Sequence, residues 1–257
     1  PCPRDSRGMD PTPPQRVMSR ELLERTLALN PYIPQLPTER QLAFLELECR
    51  DALYGGAAGG GKSSALLMAA LQFVEVPGYA ALIVRRHFSD LKLPGGLIDR
   101  ANEWLKGKGA HWNAQEHRWR FKSGATLQFG YADKEGDEQR YHGSEFQFAA
   151  LDEGVQFTEQ QIRFFAGERL RRKHDIPVPV RFRIGTTPGG VGHEFLKKRY
   201  IDPGTPGKVF VSAKLTDNEH LDREGYLDSL AEVDPLRRAQ MLAGDWNAVE
   251  GGRFQKE

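Results

Sequence analysis

The stretch YGGAAGGGKSSALLMAA, residues 54–70, places a glycine-rich segment directly before residues that favour a helix. Positions 56–63 fit the pattern G-x-x-x-x-G-K-[ST]. Backbone N–H groups can wrap closely around a phosphate chain only where side chains are small, and the free N–H groups of a helix start add to such a site. A flexible linker is the alternative, but a strand at 52–54 and a helix from Lys62 are the context that the motif requires. The stretch therefore predicts a phosphate-binding loop.

The motif assigns a role to each residue of this loop. Lys62 is expected to reach the β- and γ-phosphates, and the Ser63 hydroxyl is expected to bind Mg²⁺, with Ser64 as a less favoured substitute. The remaining nucleotide-binding positions, which contribute mainly backbone N–H groups, are Gly56, Ala57, Ala58, Gly59, Gly60 and Gly61. The predicted ligand is a nucleoside triphosphate with Mg²⁺.

A second site is indicated by FQFAALDEG, residues 146–154, an apolar run that ends in two adjacent acids. We predict that a buried strand brings Asp152 beside the loop, where it holds Mg²⁺, and that Glu153 orients and deprotonates the attacking water. The alternative is that the two acids only cap the following helix. Paired with the phosphate-binding loop, an adjacent base favours hydrolysis over transfer to another acceptor.

Composition narrows the class of protein. The chain has 257 residues, of which 39% are hydrophobic and 28% are charged. Its net charge is only +1, so the protein as a whole has no electrostatic field that would attract a polyanion such as DNA. No apolar run approaches the ~20 residues that cross a bilayer, so no membrane association is expected. Two cysteines, Cys2 and Cys49, form neither a disulfide framework nor a zinc site and favour a reducing compartment.

Strands alternate with helices along the chain, which predicts an α/β fold with a mostly parallel sheet flanked by helices. A hairpin insertion is predicted at 117–131, around Ser123 and Gly124. We expect three units: a disordered leader at 1–17, a nucleotide-binding core at 18–203, and a small helical lid or linker at 204–257.

Four segments in this order resemble the ATPase domain of the large terminase subunit, the DNA-packaging motor of tailed bacteriophages. They are LPTERQLAFL (36–45), GGAAGGGKSS (55–64), YHGSEFQFAALDEGVQF (141–157) and RIGTTPGG (183–190). The closing run at 215–254 is also similar, and the resemblance covers roughly residues 30–254. It implies a P-loop NTPase fold of the ASCE/RecA-like type that hydrolyses ATP to move double-stranded DNA into a procapsid.

The resemblance also implies residue roles. Gln41 would bind the adenine edge, and Thr186 and Thr187 would couple hydrolysis to movement. The family uses an arginine finger from a neighbouring subunit, and in some members it directly precedes the glycine of the third segment. His142 stands there in this chain, so the nearest arginine, Arg140, is our candidate. The alternatives are Arg85, Arg86 and Arg40.

The implied partners are a portal protein, a small terminase subunit and further copies of the chain. We expect a homo-oligomeric ring on the procapsid, a monomer when free, and a location in the host cytoplasm. Complete family members continue into an RNase H-like nuclease, whereas this chain stops at Glu257, so ATP hydrolysis without DNA cutting is expected. A helicase-like nucleic-acid-stimulated ATPase and a non-hydrolysing nucleotide switch are the competing hypotheses.

Two basic clusters are candidate contacts to DNA phosphates, although a solvated charged face fits each of them equally well. They comprise Arg169, Arg171, Arg172 and Lys173, and then Lys197, Lys198 and Arg199. Three tryptophans, Trp104, Trp112 and Trp119, are predicted to pack inside the fold rather than to stack on bases.

Overall fold

The structure, a computed structural model, describes residues 20–171, 173, 175–218 and 222–248, so the predicted leader at 1–17 lies outside it. The strands are β1 (Asp51–Gly56), β2 (Ala80–Arg85), β3 (His111–Asn113), β4 (Arg118–Arg120), β5 (Thr126–Tyr131), β6 (Phe148–Asp152), β7 (Arg181–Thr186) and β8 (Lys208–Ala213). The helices are α1 (Arg20–Leu29), α2 (Glu39–Leu45), α3 (Lys62–Leu71), α4 (Phe88–Lys92), α5 (Leu97–Leu105), α6 (Glu159–Gly167), α7 (His193–Tyr200), α8 (Arg223–Ser229) and α9 (Pro235–Ala243).

Within the described residues the strands form one eight-stranded sheet in the order β3-β4-β5-β2-β6-β7-β1-β8. The strands from β5 to β8 in this order run parallel, while β3 and β4 are antiparallel additions at one edge. The predicted mostly parallel α/β fold is confirmed. Since β1, β6 and β7 are neighbours, the loops that follow their carboxyl ends meet at one edge of the sheet.

Alternating side chains of the parallel strands enter two hydrophobic cores, one on each face of the sheet. On β1, Ala52 and Tyr54 join the first core and Leu53 joins the second. Helix α3 lies in the first core and is buried on nearly every side, as expected for a helix that is apolar all round. This packing fixes the end of α3 that carries Lys62 against the sheet.

The edge of the sheet differs from the sequence prediction. The hairpin forms from β4 and β5 around Ser123 and Gly124, as predicted. However, β5 also pairs in parallel with β2, so it is part of the main sheet rather than an insertion, and β3 extends the edge by another strand. Pairing between distant segments leaves no local pattern in the sequence. The alternation of polar and apolar residues near 117–131 therefore did not indicate that β5 pairs with β2.

The predicted boundary between 203 and 204 is misplaced, because β8 pairs along its whole length with β1 and belongs to the core sheet. Helix α7, which leads into β8, was not predicted. Its sequence HEFLKKRY is dominated by charge, and its stability comes from burying Leu196 and Tyr200 against the second core. The segment after the sheet therefore begins beyond Ala213 and carries α8 and α9.

No helix in the described part of the chain combines the length and the apolar character that crossing a membrane requires. Two of the three tryptophans, Trp104 and Trp119, are buried in the first core, as predicted. Trp112 is partly buried and packs on Trp119, with ring centroids 5.5 Å apart.

Candidate active site

The glycine-rich loop joins the end of β1 to the start of α3 and requires glycine at two positions. Gly56 has a φ of +130°, and a Cβ there would collide with the carbonyl oxygen of Ala213. Gly61 has a φ of +71°, and a Cβ there would lie 2.5 Å from Nε2 of Gln41. Both conformations are strained for any residue with a side chain. The loop therefore has this shape only because its sequence is rich in glycine.

The start of α3 presents backbone donors to the space above the loop. The first intrahelical hydrogen bond runs from the N–H of Ala65 to the carbonyl of Gly61, at 3.0 Å. The N–H groups of Lys62, Ser63 and Ser64 precede it and have no acceptor inside the helix. Together with the positive end of the helix dipole, these groups form an arrangement that suits a phosphate.

Lys62 adds a buried positive charge to these donors. Its side chain is 7% exposed, and its ammonium donates a 2.6 Å hydrogen bond to the carbonyl oxygen of Ala57 in the same loop. Burial lowers the pKa of Lys62, while the negative charges of Glu153 and Asp152 act in the opposite direction. The ammonium is thus held over the loop and within the field of both acids.

Asp152, at the end of β6, lies directly beside the loop. The hydroxyl of Ser63 donates a 2.9 Å hydrogen bond to its Oδ1, and Arg85 at the end of β2 forms an ion pair with its Oδ2. Asp152 is 1% exposed, so these partners compensate for the burial of its charge. Hydroxyl and carboxylate oxygens are ligands that Mg²⁺ prefers, and the Ser63–Asp152 pair fits such an ion.

Glu153 follows in a left-handed backbone conformation, with φ +55° and ψ +55°. Burial and the charge of Asp152 raise the pKa of Glu153, whereas Lys62, Arg85 and the N–H of Thr187 lower it. A strained, half-buried carboxylate of this kind is typical of functional sites, and its raised pKa suits a group that accepts a proton.

The threonines at the end of β7 connect the acids to the neighbouring strand. The Thr186 hydroxyl accepts a hydrogen bond from the N–H of Val155 at 3.1 Å and donates to the carbonyl of Thr187 at 3.2 Å. Both threonines are buried. The Thr186 hydroxyl therefore links the loop that follows Glu153 to this end of β7.

A cavity of about 400 Å³ opens over these groups, and its lining includes Gly59, Lys62, Glu153, Thr187, Gln41 and Arg100. Gln41 completes a capping box by accepting from the N–H of Thr38, and it donates to the carbonyl of Gly61 at 2.9 Å. The structure thus brings Gln41 to the cavity, but its amide also supports the loop itself.

The segment beyond the sheet contacts both the loop and the threonine strand. The N–H of Ala58 donates to the carbonyl of Met241 at 2.7 Å, at the end of α9. Arg237, on the same helix, donates to the carbonyl of Pro188 at 2.7 Å. Helix α9 therefore covers one side of the site and links its two halves.

Residues 53–257 match a family model that describes the N-terminal part of the terminase large subunit of T4-like virus type. The chain belongs to this terminase family. No curated protein sequence matches the chain with significant similarity.

Solved terminase structures share the fold of this family member. The large terminase of a thermophilic bacteriophage has a TM-score of 0.67 at 13% identity, over 82% of this chain and 54% of that one. The ATPase domain of the Thermus phage P74-26 large terminase has a TM-score of 0.59 at 15% identity, over 90% and 100%. The HK97 bacteriophage large terminase has a TM-score of 0.58 at 12% identity, over 82% and 47%. The chain thus spans about half the length of the first and the third of these proteins.

Arg140 lies outside the cavity of its own chain in this terminase domain. It is in the short 3₁₀ helix at 137–141, donates to the backbone and side chain of Asp137, and stacks over Tyr131 with 4.1 Å to the ring centroid. Among the alternatives, Arg85 pairs with Asp152, while Arg86 bonds the carbonyl of Gln156 and Arg40 faces Asp217.

The basic clusters are less available to DNA than their sequence implied. Arg169 is 6% exposed and donates to the carbonyl of Tyr141, so the prediction that it contacts DNA phosphates at the surface is wrong. Arg172 lies outside the described residues, and Arg171 and Lys173 both face Glu145. In the second cluster Arg199 pairs with the buried Asp51. Lys198 is exposed and Lys197 is half-buried, and these two lysines stay candidates.

Sequence reasoning missed two arginines of the site. Arg85 was considered only as a finger, whereas the structure pairs it with Asp152. Arg100 on α5 was not considered, although it lines the cavity and its Nη1 donates to Ser64 Oγ at 2.8 Å. Neither arginine belongs to a motif with fixed spacing, and only the packing of α5 on α3 reveals the second.

Proposed function

We propose that this chain is the ATPase motor domain of a viral terminase large subunit, which hydrolyses ATP to translocate double-stranded DNA into a procapsid. The observation that supports this most is that Lys62, Ser63 and Glu153 line one cavity of a terminase-family fold and that Asp152 is hydrogen-bonded to Ser63. Related support comes from the large terminase of the thermophilic bacteriophage, whose structures include complexes with ADP and ATP-γ-S.

In this mechanism the loop and the start of α3 bind the phosphate chain through backbone N–H groups. Lys62 would exchange its bond to the Ala57 carbonyl for the β- and γ-phosphates. Ser63 and Asp152 would hold Mg²⁺, which neutralises phosphate charge when bound. When Mg²⁺ binds, Arg85 would either release Oδ2 of Asp152 or remain bonded to it as a second cation beside the metal. The amide of Gln41 would use the donor and acceptor positions that remain beside its bonds to Thr38 and Gly61 to bind adenine.

Glu153 would activate the water that attacks the γ-phosphate. Burial and the charge of Asp152 raise the pKa of Glu153, which strengthens it as a base, and Thr187 lines the same cavity. When the γ-phosphate leaves, the field around Glu153 and Thr187 changes. We propose that Thr186 and Thr187 transmit this change through β7, and that α9 transmits it through its bonds to Ala58 and Pro188.

The assembly that this function requires is a ring of copies on the procapsid, with a portal protein and a small terminase subunit as partners in the host cytoplasm. The free chain would be a monomer with low ATPase activity. Lys197 and Lys198 are proposed to contact DNA phosphates without reading bases, which makes binding sensitive to salt.

The direct test is phosphate release by the full chain with ATP, Mg²⁺ and double-stranded DNA. Lys62→Ala should reduce it by about 10²-fold or more, the loss expected when charge stabilisation of the transition state is removed. Lys106→Ala, at the exposed lysine that directly follows α5, is the matched control and should leave release unchanged. Nucleotide binding without phosphate release from the assembled wild-type motor would indicate a switch, and strand separation without packaging would indicate a helicase.

Arg140 is proposed to complete the site of a neighbouring copy. An arginine finger contributes about 10³–10⁵ in rate, so Arg140→Ala should inactivate the assembled motor while Arg120→Ala, at an exposed arginine, should not. Mixing Arg140→Ala with Glu153→Gln subunits should restore part of the activity, because the first supplies an intact base and the second an intact finger. Mixed rings that stay as inactive as either parent would exclude Arg140 from this role.

A further inference from the structure

Arg100 places a second positive side chain in the cavity, in addition to Lys62. Among the described residues that line the cavity, Lys62 and Arg100 are the cations. The Nη1 of Arg100 donates to Ser64 Oγ at 2.8 Å, and its Nη2 makes a long 3.4 Å bond to the carbonyl of Gly95. No ion pair joins it to a carboxylate of the described residues, in contrast to Arg85, whose charge is compensated by Asp152.

The order of groups along the cavity locates Arg100 relative to a bound phosphate chain. Glu153 and Thr187, which line the cavity, mark the end where the γ-phosphate would be cleaved. Ser63, bonded to Asp152, comes next along α3. Ser64 is one residue further from that end and carries Arg100 on its hydroxyl. The guanidinium is therefore bonded two residues along α3 from Lys62, at the residue that carries the last free N–H of the helix start.

We propose that Arg100 binds the α-phosphate of the nucleotide, an inference that rests on the proposed nucleotide site. A guanidinium offers several N–H donors in a fixed plane, which suits phosphate oxygens. Its weak bond to Gly95 leaves donors available, and Ser64 holds the group in place before the nucleotide arrives. The α-phosphate is present in both ADP and ATP, so this contact contributes equally to binding of the two nucleotides.

The test is to measure the affinity of the full chain and of Arg100→Gln for ADP and for ATP-γ-S. A charge-assisted hydrogen bond predicts a loss of about tenfold to a hundredfold, and the loss should be equal for the two nucleotides. Arg100→Lys should recover part of the affinity. Lys106→Gln on the adjoining turn should bind as the wild type does, and the melting temperature of Arg100→Gln without nucleotide should be unchanged.

Three results would overturn the proposal. The first is that Arg100→Gln binds both nucleotides with wild-type affinity. The second is that it loses affinity for ATP-γ-S alone, which would assign Arg100 to the γ-phosphate. The third is that its loss of affinity comes with a lower melting temperature that accounts for it, which would make Arg100 a structural residue. Failure of the wild type to bind either nucleotide would instead contradict the proposed function itself, so the two failures are distinguishable.

Discussion

The two ends of the parallel strands both bury charge, but they compensate for it differently. At the carboxyl end, Asp152 and Glu153 are adjacent and are compensated by the side chains of Lys62, Arg85 and Ser63. At the amino end of β7, Arg183 is 1% exposed and has no carboxylate partner among the described residues. Side-chain partners can be exchanged for a ligand, whereas the backbone partners of Arg183 cannot.

Arg183 shows how the amino end is built. Its Nη1 donates to the carbonyls of Cys49, Arg50 and Phe182 at 3.0–3.1 Å, and its Nη2 donates to that of Leu47 at 2.8 Å. Burial and the nearby charge of Arg181 lower the pKa of Arg183 to about 9. The guanidinium thus ties the segment before β1 to β7. One end of the sheet therefore fixes the fold, and the other end is available for chemistry.

Replacing Arg183 should give the largest effect on stability. Arg183→Met leaves several buried carbonyls without a donor, and each unsatisfied group costs about 1–3 kcal/mol, so we expect the free energy of unfolding to fall by about 3 kcal/mol. Urea denaturation measures it, with Arg120→Met at an exposed position as the control. An unfolding free energy equal to that of the control would remove the contrast between the two ends.

Replacing Glu153 should change the free energy of unfolding in the opposite direction, by stabilising the protein. Because burial and Asp152 raise the pKa of Glu153, its ionised form destabilises the folded state near neutral pH. Glu153→Gln should therefore raise the free energy of unfolding by about 1 kcal/mol, as is common when a functional site is neutralised. Glu232→Gln, at an exposed position, should change nothing. A destabilised Glu153→Gln protein would mean that the carboxylate supports the fold.

The smallest expected effect separates a glycine of the phosphate-binding loop, Gly61, from a glycine of the hairpin, Gly124. Gly61 and Gly124 have φ values of +71° and +86°, but a Cβ would strike Gln41 only at Gly61, while at Gly124 nothing lies within 4 Å. Alanine at either position should cost about 1–2 kcal/mol of stability. Only Gly61→Ala should also weaken nucleotide binding, measured by titration with ADP. Equal nucleotide affinities for the two variants would show that the loop tolerates a side chain.

Local patterns made much of this molecule predictable. The phosphate-loop motif and the run ending in Asp152 and Glu153 both depend on residues close in sequence, and the structure forms each of these elements. The family match agrees with the resemblance found in the ordered motifs.

Features that depend on long-range packing were not predictable. The pairing of β8 with β1 joins segments about 150 residues apart, so the boundary at 203 was misplaced. Helix α7 is stabilised by the core behind it rather than by its own sequence. Arg100 reaches Ser64 only because α5 packs on α3, and the Arg85–Asp152 pair depends on the adjacency of β2 and β6.

The most direct test of the central claim compares nucleotide binding and single-turnover phosphate release in one preparation of Glu153→Gln. This variant should bind ATP and Mg²⁺ with wild-type affinity and release phosphate about 10²–10⁴-fold more slowly, because a general base contributes a factor of that size. Phosphate release at the wild-type rate by a variant that binds ATP normally would contradict it.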